Sequence, residues 1–242
     1  MVWLAALLGL FVGAVLNYLA DQLPARQRIG PPPQCAHCAT PRPPLSWVGT
    51  VAYVAGRFRC LSCGAPLSVR HPVTEVATAV AFALLFQAQG PSVSFAFSAF
   101  YLCVFLLVLI TDLEHHLIFN VVMLPATLVA LAAPFVLDKP TPKSAFIGAA
   151  VGFGFFYVIA LLKPGGMGAG DVKLAAFIGA VTGFPAVFSA LLIGIFAGGF
   201  VALILVATGV KGMKSYIPYG PFLVLGGALI TFLGPTVAQW VK

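Results

Sequence analysis

Two aspartates, Asp112 and Asp171, are the residues best placed to do chemistry in a chain with only six acidic side chains: Asp21, Glu75, Asp112, Glu114, Asp138 and Asp171. Asp112 closes an apolar run, Phe100 to Ile110, and sits in Thr111-Asp112-Leu113-Glu114-His115-His116. Asp171 ends Gly168-Ala169-Gly170-Asp171, after Lys163-Pro164-Gly165-Gly166-Met167, and opens a new helix-like segment. A carboxylate at the end of a membrane helix must be hydrated, paired or used. Two that meet can share a proton: one stays ionised and activates water, while the other is protonated and polarises a carbonyl. Hydrolysis by an aspartate pair is therefore the leading expectation. Each residue also has a plain alternative, Asp171 as a helix cap and Asp112 as an interfacial residue ending a span.

A second constellation is Cys35-Ala36-His37-Cys38 and Cys60-Leu61-Ser62-Cys63, two C-x2-C knuckles separated by 21 residues. The spacing resembles a zinc ribbon, in which each knuckle gives two thiolates to one tetrahedral ion. Four protein ligands close the coordination sphere, so the metal, zinc, would be structural, stapling a segment too small to form its own core. Two disulfides are the alternative. His37 reads as a bystander inside a knuckle, and Cys103 as ordinary packing.

The elements that must hold these groups are membrane helices. The chain has 242 residues, 61% hydrophobic and 8% charged, with mean hydropathy +1.05. A soluble domain carries about a quarter charged residues. Long apolar runs recur from end to end, which makes this an all-α, polytopic helical membrane protein embedded in a lipid bilayer, not a β-barrel. Spans are expected at about 2–20, 72–88, 94–111, 117–137, 144–162, 171–183, 186–208 and 218–238, about eight in all. The sixth is short, and seven is the fallback. Val2 to Ala20 reads as an uncleaved first transmembrane helix, since it lacks the basic start of a signal peptide.

The net charge of +7 is better explained by topology than by nucleic acid, which is not expected as a partner. With the first segment running outside to inside, Arg26, Arg28, Arg42, Arg57, Arg59, Arg70, Lys163, Lys173, Lys211 and Lys214 face the cytoplasm. Only Lys139, Lys143 and Lys242 face out. Both aspartates and the cysteine loop then lie on the cytoplasmic side. Three regions follow: 1–20, a first transmembrane helix; 21–71, a cytoplasmic tetracysteine, zinc-ribbon-like insertion rich in proline and arginine; and 72–242, a membrane-embedded domain holding the aspartates. No internal repeat stands out.

Other polar residues have simpler expectations. Glu114, His115 and His116 form a hydrated turn, with His115 or His116 able to tune the aspartates. Lys173 is either a snorkelling anchor or a positive charge beside one carboxylate. Glu75 opens the second span and contacts either the cysteine region or a substrate. Asp21 ends the first span at the headgroups, and Asp138 lies in an outer loop.

Taken together and in order, these motifs resemble the type IV prepilin peptidases of bacteria. They are Gly13-Ala14-Val15-Leu16-Asn17, the paired knuckles, Ser68-Val69-Arg70-His71-Pro72-Val73-Thr74-Glu75, Thr111 to Ile118, Gly168-Ala169-Gly170-Asp171-Val172-Lys173-Leu174, and Ile217-Pro218-Tyr219-Gly220-Pro221-Phe222-Leu223. Three positions depart from the family pattern: Asp21-Gln22-Leu23-Pro24 lacks an arginine, Phe119 replaces a proline, and Ala36 replaces a knuckle proline. The resemblance implies a multi-pass protein of the bacterial inner membrane. It would remove a basic leader from prepilin or pseudopilin substrates, after a glycine, for type IV pilus or type II secretion systems. It assigns catalysis to Asp112 and Asp171. It also implies N-methylation of the new N-terminus with S-adenosylmethionine, an activity tied to the region of Cys35, Cys38, Cys60 and Cys63. A proton-coupled transporter, or a scaffold recruiting a partner through the zinc loop, are the competing expectations.

Overall fold

A computed structural model describes residues 1–24, 30, 32–162, 167–209 and 218–234. Lys163, Pro164, Gly165 and Gly166, the basic residues Arg26, Arg28, Lys211, Lys214 and Lys242, Pro31, Ile217 and the end of the last expected span, 235–238, lie outside them. Eight helices match the eight apolar segments: α1 (Val2–Gln22), α3 (Arg70–Gln89), α4 (Val93–His115), α5 (Asn120–Ala132), α6 (Pro142–Leu162), α7 (Ala169–Thr182), α8 (Ala186–Ala207) and α9 (Gly220–Ala228). A short α2 (Gly49–Val54) lies in the proline-rich insertion. The chain is an all-α polytopic membrane protein. Five helices, α1, α3, α4, α6 and α8, are long and apolar enough to cross a bilayer. The other three, α5, α7 and α9, have 13, 14 and 9 residues.

Helix boundaries follow local chemistry. α3 starts at Arg70, two residues earlier than expected, because Pro72 is harmless in a first turn where its missing N–H has no partner to lose. α5 starts at Asn120, since residues after His115 leave the helical conformation. His116 adopts φ +56° there.

The chain divides into two compact units, Met1–Cys103 and Val104–Lys242. In the first, α1 packs along α3. Gly9 and Gly13, one turn apart, let the backbones meet: a Cβ on Gly13 would lie 2.6 Å from Glu75 Cα, and one on Gly9 2.8 Å from Ala79 Cα. Small residues at this spacing let membrane helices approach where apolar burial gives no drive. Next along that face, Asn17 Nδ2 donates to the His71 carbonyl at 3.0 Å.

The insertion is two copies of one hairpin, an internal repeat that sequence inspection passed over. Isolated bridges pair Gln34 with Pro41 and Arg59 with Pro66. The Cys35 amide donates to Thr40 O at 2.9 Å, and the Cys60 amide to Ala65 O at 2.8 Å. Positive φ follows each second cysteine, at Ala39 (56°) and Gly64 (72°). Each position of the first hairpin recurs 25 residues later in the second. The side chains differ enough to hide the repeat.

In the second unit α6 packs on α7, and α8 on α9. Gly148 and Gly152 of α6 face Gly179 and Ala175 of α7 with backbones in contact. With α5, α8 and α9 also packed against it, most of α7 is buried, including Val172, Leu174, Phe177 and Ile178. A 14-residue helix sheathed this way is tolerated at membrane depth because protein covers its ends.

Candidate active site

Asp112 is reached by following α4 to its end. The helix is apolar up to Thr111, whose hydroxyl donates to the Val108 carbonyl at 3.3 Å. Asp112 comes next and is only 3% exposed. The helix closes on its backbone: the His116 amide donates to the Asp112 carbonyl at 3.0 Å, and His116 Nδ1 lies 3.0 Å from the same oxygen. His116 also lies near enough to act electrostatically on the Asp112 carboxylate. His115 instead faces Glu114, Nε2 to Oε2 at 3.8 Å, in the exposed turn expected there.

Asp171 sits in the first turn of α7 and is 5% exposed. Its Oδ2 accepts the Gly168 amide at 3.1 Å, so it does cap the helix as the sequence suggested. Gly168 supplies no side chain to return the bond. Two contacts then bring this helix start to the first aspartate segment. Gly170 lies so close to Ile118 that a Cβ would sit 2.7 Å from Ile118 Cβ. Lys173 Nζ donates to Asn120 Oδ1 at the start of α5. Lys173 is thus a clamp between helices, which neither expectation for it anticipated.

These contacts gather the two aspartates, 59 positions apart in sequence, closely enough for the Asp112 charge to act on Asp171. The segment opening α9 completes the site. A Cβ on Gly220 would lie 2.5 Å from Asp112 Oδ2. Tyr219 feels the Asp171 charge, and its ring lies 6.2 Å from that of Phe156. Among the described residues, Asp112 Oδ2 is buried without a hydrogen-bond partner. A buried, unpartnered carboxylate oxygen is costly unless it has work to do. A neighbouring carboxylate makes shared protonation the natural arrangement. Tyr219 and Gly220 belong to a motif that carried the resemblance, yet nothing in their types marked them as neighbours of the aspartates.

The four cysteines also converge. Their sulfurs all lie within 4.8 Å of one another. Cys35 and Cys63 Sγ are 3.7 Å apart, and Cys38 and Cys60 Sγ 3.6 Å. A tetrathiolate site with metal–sulfur bonds of about 2.3 Å has sulfurs about 3.8 Å apart, so the cluster fits a metal. All four are free thiols. Cys38 and Thr40 Oγ1 are 3.2 Å apart. Hydrogen bonds with the Thr40 hydroxyl and backbone pull the Cys38 thiol down to about 6, while Cys63, despite a backbone hydrogen bond at Ala65, is pushed up to about 12 by the neighbouring Cys38.

Glu75 is fully buried and serves the cysteine region: its two oxygens accept the Gly49 and Thr50 amides, each at 2.7 Å. Asp21 is paired with Arg70, and its Oδ2 lies 3.3 Å from His71 Nε2.

Comparison with known proteins places this arrangement. Residues 99–203 match the model of the type IV leader peptidase family, and residues 7–88 that of the bacterial peptidase A24 N-terminal domain. A prepilin leader peptidase/N-methyltransferase of Burkholderia pseudomallei strain 1026b is 33% identical over 221 residues, 88% of this chain and 71% of the relative. The chain belongs to the type IV leader peptidase family. Another prepilin leader peptidase/N-methyltransferase, from Bacillus subtilis strain 168, is 26% identical over 96% of this chain and 94% of the relative. Another, from Pseudomonas aeruginosa, is 26% identical over 96% and 90%. No solved structure gives a significant match. The 99–203 match contains both aspartates, and the 7–88 match all four cysteines. The Tyr219–Gly220 contact lies beyond both.

Proposed function

We propose that this protein is a membrane aspartic endopeptidase that cleaves the leader from prepilin-like proteins and N-methylates the new N-terminus, with Asp112 and Asp171 as its catalytic pair. The observation that carries the reading is the convergence of these two buried carboxylates, from distant helices, in a chain of the leader peptidase family. One carboxylate is ionised and takes a proton from water as the water attacks the scissile carbonyl. The other is protonated and hydrogen-bonds the carbonyl oxygen as negative charge develops on it. The tetrahedral intermediate collapses with proton transfer to the departing amine, and the pair returns to its shared-proton state. The two act as one titrating unit, so the roles belong to the pair. Gly220, having no side chain, lets the start of α9 come up against the Asp112 carboxylate, and the Gly168 amide holds Asp171 in place.

In this reading residues 1–20 anchor the chain, 21–71 form the tetracysteine domain and 72–242 the peptidase domain. Eight segments cross the inner membrane, with the aspartates and cysteines on the cytoplasmic side, as the charge asymmetry favours. Cys35, Cys38, Cys60 and Cys63 would hold one structural zinc, which supplies folding energy to the insertion and takes no part in hydrolysis. S-adenosylmethionine would supply the methyl group.

The test is the full-length protein in detergent with a purified prepilin, with and without S-adenosylmethionine, read by mass spectrometry. The expected products are a mature chain cut after the leader glycine and, with the methyl donor, the same chain carrying one methyl group. An intact prepilin after prolonged incubation would overturn the peptidase reading.

A further inference from the structure

The tetracysteine insertion carries a surface that neither hydrolysis nor metal binding uses. On α2, Gly49 and Ala52 are buried, while Val51 and Val54, one turn apart, point outward, with Val54 87% exposed. Trp47, just before the helix, is 45% exposed, its indole N–H fixed on the Arg42 carbonyl at 2.8 Å. Phe58, just after it, is exposed and stacks on Tyr53 with ring centroids 5.5 Å apart. Arg57 and Arg59 flank Phe58 and are exposed.

The sequence of the insertion that carries this apolar surface is one-sided in charge. Between residues 22 and 74 the sequence has six arginines, Arg26, Arg28, Arg42, Arg57, Arg59 and Arg70, and no carboxylate. Asp21 already pairs with Arg70, and a tetrathiolate around a divalent ion would cancel two further charges, which still leaves the segment basic. Both ends of the segment continue into helices long and apolar enough to cross a bilayer, α1 and α3. It is therefore tethered beside a membrane surface, where tryptophan and phenylalanine settle at headgroup depth and arginine pairs with lipid phosphates.

We propose that the face formed by Trp47, Val51, Val54 and Phe58, with Arg57 and Arg59, docks on the anionic headgroups of the leaflet to which the insertion is tethered. Apolar side chains enter the acyl boundary while the guanidinium groups stay with the phosphates. The partner is an anionic phospholipid surface, because a neutral one would leave the arginines without counter-charge. Docking would give the metal domain a second hold at the membrane besides the Glu75 contact with α3.

The experiment uses the full chain with Trp47 as sole tryptophan (Trp3→Phe, Trp240→Phe), in nanodiscs of phosphatidylcholine alone or rich in phosphatidylglycerol. The expected result is blue-shifted Trp47 emission, quenched by brominated lipid and shielded from acrylamide, in the anionic discs only. High salt should reverse it. Arg57→Gln with Arg59→Gln should shift the docking equilibrium by roughly tenfold or more. Val54→Ser should weaken it without touching a residue next to a cysteine, and unchanged metal content would show that both variants remain folded. Equal shielding in both lipids and in detergent would mean that protein covers the face, and would overturn the proposal. So would free access of acrylamide in the anionic discs. Peptidase activity does not enter either outcome.

Discussion

The cysteine cluster and the aspartate pair both bring together residues far apart in sequence, by opposite means. Each cysteine pair is made locally, by a hairpin with two short-range amide bonds and a positive-φ turn, and only the joining of two like hairpins is tertiary. The aspartate pair has no local device at all. It depends on Gly170 against Ile118, Lys173 on Asn120, and Gly220 against Asp112, contacts contributed by α4, α5, α7 and α9 and the link after α4. A site of the first kind should fail when its ligand is removed. A site of the second kind should fail when helix packing shifts by a fraction of an ångström.

The largest effect expected is loss of the metal. A strong chelator, or Cys35→Ser, should abolish metal content and expose the insertion to protease, while residues from 104 onward keep their helicity. This is checked by metal analysis, limited proteolysis and circular dichroism. Next come the aspartates. Asp112→Asn or Asp171→Asn should each lower prepilin cleavage by about 10⁴-fold or more, on the scale of losing a positioned acid or base. Metal content should be normal. Gly220→Ala sharpens the contrast, since its new Cβ would lie 2.5 Å from Asp112 Oδ2. Cleavage should fall by about 10- to 100-fold through displacement of the carboxylate, with kcat affected more than KM. The smallest effect is in the hairpins. Ala39 holds φ 56° where its counterpart is Gly64, so Ala39→Gly should raise the stability of the insertion by up to about 1 kcal/mol. Thermal melting of the metal-loaded protein would report it.

The same contrast explains what the sequence could convey. The five long apolar helices were legible because bilayer thickness imposes their length and composition, and the three shorter ones because they are apolar too. The cysteine cluster was legible because two knuckles keep their spacing. The aspartates stood out because carboxylates are rare in so apolar a chain. Glu75 was harder: its contact with the cysteine region was one of two expectations, and only the Gly49 and Thr50 amides decide it. The roles of Tyr219, Gly220 and Lys173 were not legible, because each depends on a neighbour brought by helix packing. The six-residue α2 escaped notice in a stretch dominated by proline and arginine.

The central claim, that Asp112 and Asp171 form one functional unit, is tested most directly by cleavage rates of Asp112→Asn, Asp171→Asn and the double variant, against wild type at equal folded concentration. If the pair shares one proton and one water, each single loss should cost about as much as the double loss, since half a unit performs none of its steps. If the losses multiply, or if either single variant cleaves near the wild-type rate, the two carboxylates do not work as a pair, and the account is wrong at its centre.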